Sequence, residues 1–234
     1  MRVLSGFEEP VSSCVWAADG ETFITGSFDR ELSICQWDLQ GECVHTWTKT
    51  HRTEDLALSR DQRWLVAMDE QHHLHIYNFA TREHVYDLAL SARATSLSFS
   101  RDSRHVLVNK ADNEAILIDI ETRETVQRYT GHSGGSFTIR SNFGGANENF
   151  VISGSEGRWP NRFDPYKRGQ TANTYPTDGR VFVWHKLTGT LIQEAEAHHV
   201  SCNAVAWNPA NPCMFATGGD DGRVRVWVPT LSPN

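Results

Sequence analysis

The sequence is short of basic charge, of paired cysteines and of long apolar runs, and each shortage removes a class of function. Lysine and arginine number 22 against 29 aspartates and glutamates among 234 residues, a net charge of −7. A nucleic-acid surface needs a basic stripe to neutralise phosphates, and the basic residues here are scattered among acidic ones, so no nucleic-acid partner is expected. The five cysteines, Cys14, Cys35, Cys43, Cys202 and Cys213, form no CxxC pair and are odd in number. That argues against a zinc knuckle or a closed disulfide framework and for a reducing compartment. Met1-Arg-Val-Leu4 runs into Ser-Gly-Phe-Glu-Glu without the apolar segment of a signal peptide, and no stretch approaches the ~18 apolar residues of a membrane span. The expected location is cytoplasmic or nuclear, with no membrane partner.

Catalytic signatures are missing too. No serine stands in Gly-x-Ser-x-Gly, and no GxxxxGK[ST] phosphate loop occurs. The eleven histidines include His72-His73-x-His75 and His198-His199. In a strand, however, His73 and His75 face one side and His72 the other, and a metal needs a third or fourth ligand at ~2 Å. No catalytic residue, cofactor or metal is expected.

What the chain does have is self-similarity. Segments starting at Val11 (VSSCVWAADGETFITGSFDRELSICQWD), Ala94 (ATSLSFSRDSRHVLVNKADNEAILIDIETRE) and Ser201 (SCNAVAWNPANPCMFATGGDDGRVRVWVP) share one plan. Each has an alternating strand, an Asp-Gly, Asp-Ser or Asn-Pro turn, a second strand, a turn ending in aspartate, and a third strand rich in Val, Ile or Trp. Period-2 alternation with turns every 8–12 residues predicts antiparallel sheet, and a period near forty predicts stacked supersecondary units.

This plan resembles the WD40 repeat over essentially the whole chain. The resemblance implies an all-β fold: a β-propeller of about five four-stranded antiparallel blades, incomplete, open or fragmentary. In the last repeat His198, Thr217, Asp221 and Trp227 match the family's hydrogen-bonded tetrad, which satisfies polar groups that would be costly to bury alone. The position of His198 recurs at Phe7, Lys49, Leu90 and His132, in steps of 42, 41, 42 and then 66 residues. Asp29, Asp112, Asp178 and Asp221 keep the turn aspartate, whereas Gln71 replaces it in the second repeat. Trp37-Asp38 falls two residues later than the spacing predicts. The expected blades are 6–47, 48–88, 89–130, 131–195 and 196–229, with strand 1–4 completing the last and 231–234 as a tail.

The long step holds an insertion. Removing Gly157–Thr177, 21 residues, brings the 66-residue step to 45 and aligns His132, Ser153, Asp178 and Trp184 as a second tetrad. The block mixes aromatic and basic residues, as a binding loop does, and loops of this length are often functional or disordered. It also back-translates to an intron, with a donor at Glu156-Gly157-Arg158, a branch site at Ala172-Asn173 and an acceptor at Pro176-Thr177-Asp178. The expectation is a retained intron without selected function.

One block is more particular. Phe143-Gly-Gly-x-Asn-Glu-x-Phe150, Val183-Trp-His-Lys186, Val205-Ala-Trp-Asn-Pro209 and Phe215-Ala-Thr-Gly-Gly-Asp-Asp-Gly222 resemble the WD-repeat subunit of the GID/CTLH E3 ubiquitin-ligase complex. Val11-Ser-Ser-Cys-Val-Trp-x-x-Asp-Gly20 and Tyr77-Asn-Phe79 agree with it. That family carries LisH and CTLH modules before its propeller, absent here, so the chain is expected to be a C-terminal fragment. The resemblance implies a non-catalytic scaffold or substrate receptor supporting ubiquitin-dependent proteasomal degradation. Its partners would be other ubiquitin-ligase subunits and substrate proteins. The alternative is a general WD40 adaptor outside ubiquitin chemistry, such as an RNA-processing or chromatin scaffold. By family register the partner-binding face is expected at Phe28, Arg52, Glu54, Arg93, Phe137, Asn203 and Asp220. Phe and Arg are the types most able to act as hot spots.

Overall fold

A computed structural model describes residues 3–47, 51–135, 137–157 and 179–229. Among them lie twenty strands and one 3-10 turn, Ala146–Glu148, in five four-stranded sheets. The first sheet runs in chain order through β1 (Val11–Trp16), β2 (Thr22–Ser27), β3 (Ile34–Asp38) and β4 (Cys43–Thr46). The second does the same with β5 (Thr53–Leu58), β6 (Trp64–Asp69), β7 (His73–Asn78) and β8 (Glu83–Ala89). The third holds β9 (Ala94–Phe99), β10 (His105–Lys110), β11 (Glu114–Asp119) and β12 (Glu124–Thr130).

Between the fourth and fifth sheets one segment crosses over. Strands β13 (Ser141–Gly144), β14 (Phe150–Ser153), β16 (Gly179–His185) and β17 (Leu191–His198) make the fourth. The fifth is ordered β15 (Ser155–Glu156), β18 (Ser201–Trp207), β19 (Phe215–Gly219), β20 (Val224–Trp227). Gly154 makes the crossover possible: a Cβ there would stand 1.9 Å from the Cys202 carbonyl oxygen, so only glycine lets Ser155 and Glu156 reach Cys202 and Ser201. The strand expected at 1–4 falls only in part on the described residues. Met1 and Arg2 lie outside the described residues, Val3 and Leu4 belong to no strand, and Leu4 packs at Gly41, before β4 of the first sheet. Residues 158–178 of the insertion region and the 231–234 tail also lie outside the described residues.

The chain divides into two compact units, Met1–Val106 with Ile118–Glu124, and Leu107–Leu117 with Thr125–Asn234. In the first, Ile24, Ile34, Leu56, Leu65, Trp47 and Tyr77 form a closed core. Burying such an aliphatic side chain is worth about 1.5–3 kcal/mol, and β6 is buried at every position, as a strand covered on both faces must be. The second unit has two cores, one around Leu107, Tyr129, Phe143 and Trp184 and one around Ile152, Val183, Val205 and Phe215. Outer strands such as β8 and β12 alternate exposed and covered residues, the pattern of a strand with one wet face.

Register resolves two sequence expectations. Trp37 pairs with Phe23 and donates its indole N–H to Thr25 Oγ1 at 2.8 Å, and Trp227 relates to Phe215 and Thr217 in the same way. The tryptophan is in its proper place, and the longer turn between β2 and β3 absorbs the two extra residues. In the second sheet Asp69, not position 71, organises the turn, its Oδ1 accepting the N–H groups of Gln71 and His73 at 2.9 and 2.8 Å.

Candidate partner-binding face and its frame

The frame is clearest in the fifth sheet. His198 Nδ1 lies 2.9 Å from Asp221 Oδ1, its Nε2 lies 2.8 Å from Thr217 Oγ1, and Trp227 Nε1–H donates to the same hydroxyl at 3.0 Å. The chain from carboxylate to imidazole to hydroxyl to indole runs from the β19–β20 turn across the sheet, and His198 and Thr217 are buried. Burial raises the Asp221 carboxyl, but the His198 ring, the His199 and Arg223 N–H groups and Arg225 outweigh it and hold that carboxyl well below its ordinary range.

The second expected tetrad is not assembled in this way. Trp184 and Ser153 keep the register of Trp227 and Thr217, yet Trp184 donates to the Thr130 carbonyl at 3.1 Å and Ser153 Oγ to the Gly154 carbonyl at 2.9 Å. His132 Nε2 lies 2.9 Å from Asn109 Oδ1, and its buried Nδ1 has no partner among the described residues. Asp178 lies outside them. The cause is chain length: nine positions separate His132 from Ser141 at the start of β13, against three from His198 to Ser201. The longer connection carries the imidazole to β10. Burial there drives the His132 pKa down to about 4.

The block that carries the family resemblance is one packed structure. A Cβ on Gly144 would stand 2.1 Å from the Trp207 ring, and Gly145 has a φ of +76° with Phe150 against it, so both glycines are required for Phe150 and Trp207 to stack at 6.0 Å. Lys186 closes the other side. Its backbone N–H donates to the Asn149 carbonyl at 2.7 Å, its ammonium stands 4.9 Å over the Phe143 ring, and its carbonyl accepts the Tyr129 hydroxyl at 2.5 Å.

The expected face residues fall into two groups, one in each unit. In the first unit Arg93 grips Glu54 through two hydrogen bonds of 3.1 and 3.0 Å. Exposed Arg52 stands 3.9 Å from Glu9 and lines, with Arg30, His51, Asp69, Glu70 and Gln71, a cleft of about 110 Å³. Phe28 is half-buried, its N–H bonded to the Pro10 carbonyl at 3.0 Å. In the second unit Phe137 is 38% exposed and its N–H donates to Glu156 Oε1 at 2.6 Å. Asn203 Nδ2 donates to Asp220 Oδ1 at 2.8 Å, and Ser201 donates to the other oxygen of that carboxylate. The bidentate pair covers the Glu54 carboxylate and leaves the Arg93 guanidinium partly open to solvent. These groups can bind through hydrogen bonds, charge and an aromatic ring.

Sequence reasoning missed the surroundings of His75. Its Nδ1 lies 2.7 Å from Asp87 Oδ1, its Nε2 lies 3.0 Å from buried Asp69, and the His51 ring stacks on it at 3.9 Å. The signal was cross-strand pairing, His75 opposite Asp87, which adjacency along one strand does not reveal.

Five four-stranded antiparallel sheets among the described residues, with tryptophan-to-hydroxyl links in shared register in the first and fifth, define a WD40-type β-propeller fold. The profile described as WD domain, G-beta repeat matches residues 1–38 and 189–228. The solved structure of U3-55K shares the fold, with a TM-score of 0.73 at 17% identity over 97% of this chain and 63% of that one. Within the class, the chain is similar to the protein named GID complex subunit 7 of Schizosaccharomyces pombe, at 35% identity over 93% of this chain and 39% of that protein. It is equally similar, at 35% over 92%, to the WD repeat-containing protein 26 homolog of Arabidopsis thaliana, of which it covers 33%. The chain thus spans well under half the length of these relatives, and its likeness is to the WD-repeat proteins that the Phe143–Phe150 block pointed to.

Proposed function

We propose that this chain is the propeller of a non-catalytic scaffold and substrate-receptor subunit in a GID/CTLH-type E3 ubiquitin ligase. It would present protein partners to catalytic subunits on other chains, in the cytoplasm or nucleus, ahead of proteasomal degradation. The observation that carries this reading is the 35% identity to GID complex subunit 7 over 93% of the chain. The geometry supports it because each group of candidate residues offers an aromatic ring with charged or amide side chains held on sheet strands and turns, which suits recognition of a protein partner.

Phe28, Arg52, Arg93 and Phe137 are the proposed anchors. Truncating a true anchor costs more than about 1 kcal/mol of binding, a loss of at least roughly fivefold in affinity. The test is protein turnover. Inactivating the gene should cause the same proteins to accumulate as inactivating the ligase's catalytic subunits, and Arg93→Ala with Phe28→Ala should reproduce part of that set. Unchanged turnover of every such protein in the absence of the gene product would end the receptor reading.

A further inference from the structure

The outer half of the second sheet carries a cluster that neither the tetrad frame nor the binding face uses. His75 on β7 is paired directly with Asp87 on β8. In a regular strand residues three apart point to opposite faces, which would send His84 away from Asp87. The register instead shifts between the Ile76–Tyr86 and Tyr77–His84 pairs, leaving Val85 as an extra residue. A bulge of this kind re-aims a side chain, and it returns His84 to the face of Asp87 and His75. His84 Nε2 lies 2.6 Å from Asp87 Oδ1, the oxygen that also faces His75 Nδ1 at 2.7 Å. The three ligand atoms all lie within 4.8 Å of one another.

The far side of His75 fixes its chemistry. Asp69 is buried, and its Oδ2 lies 3.0 Å from His75 Nε2, while its Oδ1 is taken by two backbone N–H groups. A carboxylate only accepts, so a proton on Nε2 satisfies this contact, while Nδ1 faces Asp87 Oδ1 on the other side of the ring. With the proton on Nε2, the Nδ1 lone pair, Asp87 Oδ1 and His84 Nε2 converge on one point as donors to a cation. A carboxylate holding the outer nitrogen of an imidazole is the arrangement that orients zinc-binding histidines. The His51 ring, 3.9 Å from His75 and parallel to within 3°, covers the inner side, and the half-exposed His84 and Asp87 side chains, at 29% and 40%, leave the outer side open to an entering ion and a water.

We propose that His75 Nδ1, His84 Nε2 and Asp87 Oδ1 form a zinc site on the second sheet, with water as the fourth ligand. Two imidazole nitrogens and one carboxylate suit zinc, whereas calcium and magnesium favour all-oxygen sets. Tetrahedral bonds of about 2.0–2.2 Å place ligand atoms roughly 3.3 Å apart, so each nitrogen–oxygen pair opens by about 0.7 Å when the ion enters.

The test uses the full chain, stripped with a chelator and titrated with zinc chloride by calorimetry beside His84→Ala and Asp87→Asn. Both substitutions lie on the outer strand, and circular dichroism checks that each variant folds. The expected result is one zinc per chain, with affinity at least about 100-fold weaker in each variant, since loss of an outer-shell partner alone costs 10–100-fold. Zinc should also raise the thermal midpoint of the unaltered chain and not of the variants. Absence of zinc binding by the unaltered chain overturns the proposal, and so does equal binding by chain and variants, which would place the ion on other histidines. If one variant fails to fold, the other and the stoichiometry of the unaltered chain decide.

Discussion

His132 should make this fold acid-sensitive within a defined window. Its ring is buried, Nε2 is committed to Asn109, and burial depresses its pKa to about 4 against about 6.5 in an unfolded chain. Between those values the unfolded chain binds a proton that the native imidazole does not, so stability is full above about pH 6.5 and falls as pH drops toward 4. The loss attributable to His132 amounts to about 2 kcal/mol by pH 5 and about 3 kcal/mol by pH 4. His132→Gln keeps an N–H donor for Asn109 and removes the titration. It also removes the edge-on contact with Trp184 at 5.5 Å, an aromatic pair worth about 0.5–1.5 kcal/mol. The variant should therefore be less stable at pH 7 and equal or more stable at pH 5. Urea unfolding of both proteins across that range measures the crossing. Parallel stability curves would refute the assignment of the acid response to His132.

Three further outcomes follow from the frame. Thr217→Val leaves Trp227 and His198 without their shared hydroxyl and should cost about 1–3 kcal/mol, and a shift under about 0.5 kcal/mol in urea unfolding would contradict the tetrad's structural role. Gly144→Ala drives a Cβ into Trp207 and should cost about 1–3 kcal/mol or more, with a changed near-UV dichroism from the displaced indole, whereas an unperturbed spectrum would show that the contact is slack. Deleting Gly157–Thr177 cuts the residues between paired Ser153 and Phe182 from 28 to 7 and should recover about 1.2 kcal/mol of loop-closure entropy. A loss of stability on deletion, or a mature transcript containing these codons, would count against the retained-intron expectation.

The legible features were those that repeat locally. Strand alternation, the turn aspartates and the His198–Thr217–Asp221–Trp227 spacing depend on residues close in sequence, and their geometry follows from blade register. The illegible features depended on reach and crossover. The extra residues after His132 sent its ring to Asn109, and Gly154 diverted β15 into the fifth sheet because a contact of the backbone with Cys202 excludes any side chain. The cluster at His75 needed both a cross-strand partner and a bulge at Val85, and neither leaves a spacing motif. The role of Asp69 was obscured in the same way, since the turn it organises carries its aspartate two positions before the one expected.

The central claim is membership in a GID/CTLH-type ligase, and affinity purification of the full-length gene product from its own cells tests it most directly. The account predicts that RING-bearing CTLH subunits co-purify in stoichiometric amounts. Their consistent absence, with other partners recovered in their place, would contradict it.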